Sequence, residues 1–169
     1  MDDIDRHDWA AYCHGQSAAL ARIHQRHSRK LLNYCAYVLG DHGAAQEVVQ
    51  ETFLRLLAQN GQFAIESRLQ DWLFICARNL CFGRLRAAKT QARLQELIAP
   101  PASAIDAETK RFIEEVLGRL EPEERDLILL RELQQFSIDE IAAMLATSAE
   151  AVRVRLHRIR KKMQKLGES

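Results

Sequence analysis

The residues whose spacing carries the most chemistry lie near the end of the chain, from Phe136 to Leu166, in the stretch FSIDEIAAMLATSAEAVRVRLHRIRKKMQKL. At 100° per residue, Glu150, Arg153, Val154, His157 and Lys161 share one side of a helix, with Arg158 and Arg160 flanking them. Val152, Leu156, Ile159 and Met163 form an apolar stripe on the other side. Such a helix packs its stripe inward and holds arginines outward. Arginine makes bidentate contacts with guanine edges and with phosphates, so the pattern fits a nucleic-acid groove. A solvated basic face on a terminal helix is the plainer reading of the same residues.

The element that must position this face is a helical hairpin. Ile138, Ile141, Ala142 and Leu145 recur at helical spacing. Ser137 is placed to cap that helix, with Glu140 three residues on completing a capping box. Ser148 is the expected N-cap of the second helix, from about Ala149 to Leu166. Only Ala146 and Thr147 separate the two, so the helices must cross steeply, as in a helix-turn-helix.

Two further faces stand out upstream. In a helix predicted from about Gly43 to Leu57, the residues Ala45, Val48, Val49, Thr52, Phe53 and Leu56 face one way. Glu47, Gln50, Glu51 and Leu54 face the other. A leucine among acids points to a protein partner, although single exposed leucines are common. A second helix is predicted from Leu69 to about Gln95, with Leu69, Trp72, Leu73, Cys76 and Leu80 on its apolar stripe. Arg78, Arg86, Lys89 and Arg93 lie together on its other side. The polar loop before it, Gln62 to Arg68, carries Phe63 and Ile65. Cations that track phosphates, beside a loop able to pocket an unstacked base, suit single-stranded nucleic acid. A solvated face is again the alternative.

The rest of the chain bounds these readings. Its 169 residues allow one medium domain or two small ones, and 47% hydrophobic content is ample for a core. Strand-like alternation is missing, and Gly and Pro are scarce. The expected fold is therefore all-α: two small helical domains joined by a flexible linker, the C-terminal one a helix-turn-helix. The only Pro-rich stretch, Ala99 to Ala104, marks the linker. The boundaries expected are 1–95, a linker at 96–106, and 107–169. Within them, Asp5 to His14 reads as a short helix at best. Ser17 to Leu39 reads as a long helix ended by Gly40, with Leu20, Ile23, Leu31, Leu32, Tyr34, Cys35 and Val38 for burial. Asp106 to Leu120 reads as helix, and so does Pro122 to Leu133, with Pro122 at N1.

Net charge is only +1, so any attraction to nucleic acid must come from local patches. No apolar run approaches about 18 residues, and the acidic N-terminus lacks a signal-peptide core, so a cytoplasmic protein without membrane insertion is expected. Cys13, Cys35, Cys76 and Cys81 form no CxxC pair; Cys76 and Cys81 would stand roughly 8–9 Å apart on one helix, too far for a disulfide. Reduced, mostly buried thiols are expected. His24 and His27 are three residues apart, and His7, Cys13 and His14 are near in sequence, but sets at such spacings arise by chance. Neither a cofactor nor catalysis is expected, since no nucleophile–base pair, Gly-rich phosphate loop or convincing metal set is present.

Two blocks of this sequence resemble a known family. Gln50-Glu51-Thr52-Phe53-Leu54-Arg55-Leu56, then Leu69-Gln70-Asp71-Trp72-Leu73 and Ala77-Arg78-Asn79, are similar to the second conserved region of extracytoplasmic-function (ECF) sigma factors. Leu120 to Leu133, then Ile138-Asp139-Glu140-Ile141-Ala142 and Ser148 to Arg158, are similar to their fourth region. The resemblance covers nearly the whole chain, with both blocks in order. It implies a bacterial transcription initiation factor that is monomeric when free, without enzymatic activity of its own. Its partners would be core RNA polymerase, promoter DNA and an anti-sigma factor. The Glu47, Gln50, Glu51 and Leu54 face would bind polymerase. Asn60, Gln62, Phe63, Ser67 and Arg68 would capture a flipped base of the −10 element, and Arg78, Arg86, Lys89 and Arg93 would hold its phosphates. Ser148, Glu150, Ala151, Arg153, Val154, Arg155, His157, Arg158 and Lys161 would read the −35 element.

The chain departs from the family pattern at Gly83, where Asp is frequent, at Ala151, where Thr is frequent, and at Gln135-Phe136, where a Gly usually leads into the helix-turn-helix. A different turn is expected there. The alternatives are a stand-alone helix-turn-helix regulator, which would not need the residues of 43–95, and a sigma-like protein-interaction module.

Overall fold

The computed structural model describes residues 3–59, 68–91 and 115–167. The chain divides into two units, Met1–Ile98 and Ala99–Ser169. The linker expected at 96–106 lies outside the described residues, as do the loop 60–67, the end of the second basic helix and most of the helix expected over 106–120. Every element among the described residues is helical. None of these helices is long and apolar enough to cross a membrane.

The first unit contains α1 (Asp3–Cys13), α2 (Ser17–Leu39), α3 (His42–Ala58) and α4 (Leu69–Gln91). Ile23, Leu31, Tyr34, Cys35 and Val38 of α2 are buried as the periodicity requires; Leu20 and Leu32 are only half-buried. Gly40 ends α2 with a φ of 70°, donating its N–H to the Ala36 carbonyl. Glycine takes that left-handed conformation without a Cβ clash, which is why the chain turns there. One residue later the Asp41 carboxylate accepts the Ala44 N–H and starts α3.

In α3 the buried set is Ala45, Val48, Val49, Thr52, Phe53 and Leu56, the whole of the expected face. Thr52 satisfies its hydroxyl by donating to the Val48 carbonyl. Helix α4 is buried differently from the expected stripe. Leu69, Leu73 and Cys76 are inside, but so are Phe74, Ala77 and Cys81, while Trp72 and Leu80 are half-exposed. The reason is that α4 packs against both α2 and α3, which widens its buried arc. Tyr34 meets Phe74 edge-on at 5.3 Å across the α2–α4 contact. The neighbouring Cys81 thiol and burial push the Cys35 thiol up, leaving an inert core thiol.

Helix α1 is more than a marginal segment, because charge pins it to α2. Trp9 and Asp8 are buried. Arg22 donates through Nε and Nη2 to Asp8 Oδ1 at 2.9 and 2.6 Å. Arg26 Nη2 lies 2.7 Å from both Asp5 Oδ1 and Asp8 Oδ2. His27 Nε2 is 2.7 Å from Asp5 Oδ2, so Nε2 carries the proton.

The second unit begins, as described, with a helical turn at 115–118. It continues with α5 (Pro122–Ile128), a wider π-type turn (Leu129–Leu133), α6 (Ile138–Met144) and α7 (Ala149–Gly167). Pro122 takes the N1 position, and Glu124 reaches back to accept the Glu121 N–H at 3.0 Å. The sequence reads as plain helix to Leu133. Instead the Gln134 N–H bonds five residues back, to Leu129. That widening lets Leu127, Ile128, Leu129 and Leu130 all be buried in succession, which a regular helix on a small core cannot do, and it leaves Leu133 exposed. Phe136, Ile141, Val152, Leu156 and Ile159 complete this core.

The α1 network sets an acid limit. Hydrogen bonds from Arg22, partly opposed by burial, hold the Asp8 carboxyl below its usual range. Burial raises Asp5, but His27 and Arg26 outweigh it and the net shift is also downward. Depressed carboxyl pKa values stabilise the fold above their unfolded value near 3.8 and lose that contribution as pH falls through the folded values. Asp8→Asn is expected to lower stability by about 1–3 kcal/mol at pH 7. In urea titrations the gap between variant and wild type should narrow below pH 4; a gap independent of pH would show that the Asp8 charge does not hold α1.

Candidate nucleic-acid interface

Helix α7 is fixed first by its stripe: Val152, Leu156 and Ile159 are buried and Met163 is half-buried. Two ion pairs then tie it to the elements before the hairpin, Arg160 to Glu132 of the π-type turn at 2.6 Å and Lys162 to Glu124 of α5 at 2.5 Å. Burial raises the Glu124 carboxyl, but the Lys162 hydrogen bond outweighs this and its pKa is lowered. The N-terminus is capped as its sequence requires, with Ser148 Oγ accepting the Ala151 N–H at 3.1 Å. Helix α6 has its capping box: Ser137 Oγ accepts the Glu140 N–H and Glu140 accepts the Ser137 N–H.

The outward side of α7 carries Glu150, Arg153, Val154, Arg155, His157, Arg158 and Lys161, all exposed, while Ala151 is half-buried. Arg153 approaches Glu150 at 3.3 Å. Arg155, Arg158 and Lys161 have no ion-pair partner among the described residues. Arg160, placed by sequence spacing as a flank of this face, is instead engaged with Glu132. The helical wheel cannot register that pairing, because Glu132 lies 28 residues upstream.

The basic residues of α4 are less uniform than their spacing implies. Arg68 pairs with Asp71 at 3.1 Å. Arg78 is half-buried, its guanidinium 4.6 Å from the centre of the Phe82 ring. Arg86 is exposed. The side chains of Asn60, Gln62, Phe63, Ser67, Lys89 and Arg93 lie outside the described residues.

A cleft of ≈ 340 Å³ opens between the end of α3 and α4, lined by Arg55, Ala58, Gln59, Trp72, Ile75, Cys76 and Asn79. An indole, two amides and a guanidinium suit a planar heterocycle attached to a phosphate. Burial pushes the Cys76 thiol up, so it is a neutral wall of the cleft rather than a nucleophile. The cleft is not visible in the sequence, because periodicity assigns Trp72 to the core; its place at the margin of the apolar stripe is the one available signal.

On α3, Gln50 and Leu54 are exposed, Leu54 at 52%. Glu47 is held by Arg84 at 2.7 Å and Glu51 by Arg55 at 3.0 Å. This face is therefore an apolar residue between two ion pairs, not a bare anionic patch. No three His, Cys, Asp or Glu residues converge on a metal position among the described residues. His14 Nδ1 meets the Ala10 carbonyl, His24 packs at a tilt against the Phe53 ring and His27 serves Asp5.

Comparison with known proteins identifies the two units. The family profile described as Sigma-70 region 2 matches residues 23–91, and that described as Sigma-70, region 4 matches residues 112–163. The RNA polymerase sigma factor CarQ of Myxococcus xanthus is 27% identical over 158 residues, covering 90% of this chain and 91% of CarQ. The ECF sigma factor SigW of Bacillus subtilis is 25% identical over 168 residues, covering 89% and 90%. Among solved structures, CnrH in complex with the cytosolic domain of CnrY superposes with a TM-score of 0.75 at 26% identity over 98% of each chain. The sigma factor RpoE of Bartonella quintana, at 23% identity over 82% of this chain and 89% of its own, has the same fold with a TM-score of 0.70. A helical unit followed by a helix-turn-helix unit, matched in order by regions 2 and 4, is the architecture of a sigma-70-type factor. The chain belongs to its ECF branch, the ECF RNA polymerase sigma factors.

The ion pairs of α7 rank its cations. Arg158→Ala should flatten the dependence of promoter-duplex affinity on salt by about 0.9 in log–log slope, one phosphate contact. Arg160→Ala should change that slope far less, since its charge is already met by Glu132. Equal effects from the two variants would show that the Arg160–Glu132 pair opens on DNA.

Proposed function

We propose that this chain directs core RNA polymerase to a set of promoters and helps to melt them, working in the cytoplasm and leaving all chemistry to the polymerase. The observation that carries this reading is the presence of both regions, in order, on one chain, each with a face left exposed by its own core. A stand-alone regulator would have no use for the region 2 unit.

The residue roles follow the faces. Leu54 with Gln50, framed by the Glu47 and Glu51 pairs, docks on core polymerase. Asn60, Gln62, Phe63, Ser67 and Arg68, together with the cleft beside Trp72 and Asn79, take up an unstacked base of the −10 element. Arg78, Arg86, Lys89 and Arg93 lie along the strand. Unstacking costs a few kcal/mol, which capture of the extruded base offsets, so melting is a binding exchange. Helix α7 enters the major groove of the −35 element with Glu150, Arg153, Val154, Arg155, His157, Arg158 and Lys161, its N-terminus stabilised by Ser148 and leaving space at Ala151.

Co-purification with core polymerase tests the docking face. Glu51→Arg removes the partner of Arg55 and adds a cation, so retention on polymerase should be lost while the circular dichroism spectrum is unchanged. Retention at wild-type strength would refute the assignment of this face.

An anti-sigma factor is the second proposed partner, in keeping with the solved complex of CnrH with the cytosolic domain of CnrY. The Leu54 and Val154 faces both present apolar atoms among charges, and a partner covering both gains because the linker makes the second contact intramolecular. Calorimetry with the protein encoded alongside should give far tighter binding to the full chain than to residues 1–95 or 106–169. Equal affinity of one fragment would rule out a two-unit clamp.

A further inference from the structure

Val154 is 40% exposed and is one of four large hydrophobic residues exposed among those described. It lies two residues past the buried Val152, about 200° round the helix, almost diametrically opposite the stripe that anchors α7. Valine disfavours helix slightly, and this one lies outside the buried stripe that anchors α7. Its neighbours are cations. Arg153 and Arg155 stand about 100° to either side, and Arg158 and Lys161 follow one and two turns later, all exposed.

This arrangement has one good reading in a groove. Arginines on both sides of a helix can reach the phosphates of both strands, and so centre the helix between them. The residue midway between them then faces the groove floor, in the N-terminal half of the second hairpin helix, where base edges are met. Valine has no donor or acceptor. Among the groups the four bases present in the major groove, the only apolar one is the C5-methyl of thymine. A polar base edge against Val154 would be desolvated without a partner and disfavoured.

We propose that Val154 is a specificity-determining residue that reads the 5-methyl group of one thymine in the −35 element. The inference rests on the assignment of α7 to that element, and it adds the chemical group read and the residue that reads it. It also gives the short side chain a purpose: valine reaches a methyl only when the helix sits deep, and the flanking arginines hold it there. Glu150, one turn earlier on the same line, faces the neighbouring base pair, where a carboxylate accepts from the amino group of cytosine.

The test starts from random DNA, so no promoter has to be chosen in advance. Duplexes are selected from a randomised library by the full-length protein bound to core polymerase, and each thymine of the recovered −35 motif is replaced by deoxyuridine, which removes only the methyl group. Wild type should lose about fourfold in affinity at one position, the effect of one buried methyl, and nothing elsewhere. Val154→Ala should bind the parent duplex about fourfold more weakly and be indifferent to deoxyuridine there, with an unchanged melting temperature because Val154 supports no core. Val154→Thr, which keeps one methyl, should retain part of the response. A specifically bound motif that contains no thymine, or tolerates deoxyuridine at every position, would overturn the proposal and leave the −35 assignment standing. So would an equal methyl effect in Val154→Ala. Failure to enrich any −35 motif would overturn both.

Discussion

Burial of Val152, Leu156 and Ile159 sets the rotation of α7, and everything that helix offers to solvent follows from it. Each such side chain contributes about 1.5–3 kcal/mol on leaving water. The exposed ion pairs Arg160–Glu132 and Arg153–Glu150 contribute at most about 1 kcal/mol each and weaken with salt. The apolar stripe therefore decides the register, and the ion pairs adjust to it. Rotating α7 by one residue would bury Arg153 or Arg155, an uncompensated charge that the core cannot accept. The same logic governs α3, where the fully buried Ala45, Val48, Thr52 and Leu56 leave Glu47, Gln50, Glu51 and Leu54 no place but the outside.

Charge is then distributed locally rather than in bulk. With a net charge of +1, the chain as a whole offers DNA almost no attraction. Several cations are committed within their own unit: Arg22 and Arg26 to α1, Arg84 to Glu47, Arg160 to Glu132, Lys162 to Glu124. Arg125 is engaged by backbone, donating to the Leu117 and Leu120 carbonyls and closing the turn before α5. What remains outward on α7 is a small set of cations on one face, so the positive field of this unit is concentrated there. Internal pairing thus turns a nearly neutral protein into one with a directional basic surface.

Much of this was legible in the sequence, and the legible parts share a cause. The α3 face, the Ser137–Glu140 capping box, the Ser148 cap and the Gly40 stop all depend on residues within four positions of one another, where the 3.6-residue period and side-chain capping act. The features that escaped depend on contacts between distant positions. Asp8 meets Arg22 fourteen residues on, and this turns a marginal helix into a pinned one. Helix α4 shows a broader buried arc than its stripe because two helices cover it, and the cleft at Trp72 exists only where α3 ends beside α4. The π-type turn at Leu129–Leu133 accompanies the burial of five consecutive residues, Asp126 to Leu130, a property of the core and not of the segment. For the stretch expected to take up an unstacked base only Arg68 is described, since residues 60–67 lie outside the described residues.

The hairpin that presents α7 is held by two residues in a conformation their side chains disfavour. Gln135 has a φ of 58° and Ala146 a φ of 49°, both in the left-handed region. Glycine would enter it freely; for a residue with a Cβ it costs roughly 1–2 kcal/mol. The turn leading into α6 thus has the geometry a glycine favours, with glutamine in its place. What offsets the strain sits directly beside each corner. After Gln135, Phe136 is buried, its N–H bonded to Leu130 and its carbonyl to the Arg131 guanidinium. Before Ala146, Ile141 and Ala142 are buried, and the Thr147 N–H bonds back to the Ala142 carbonyl. Burying Phe136 and Ile141 outweighs both strained corners on the scale of about 1.5–3 kcal/mol per side chain. The core thus holds the chain on both sides of each corner, and the turn at Ala146, braced by Ile141 and Ala142, sets how α6 and α7 cross.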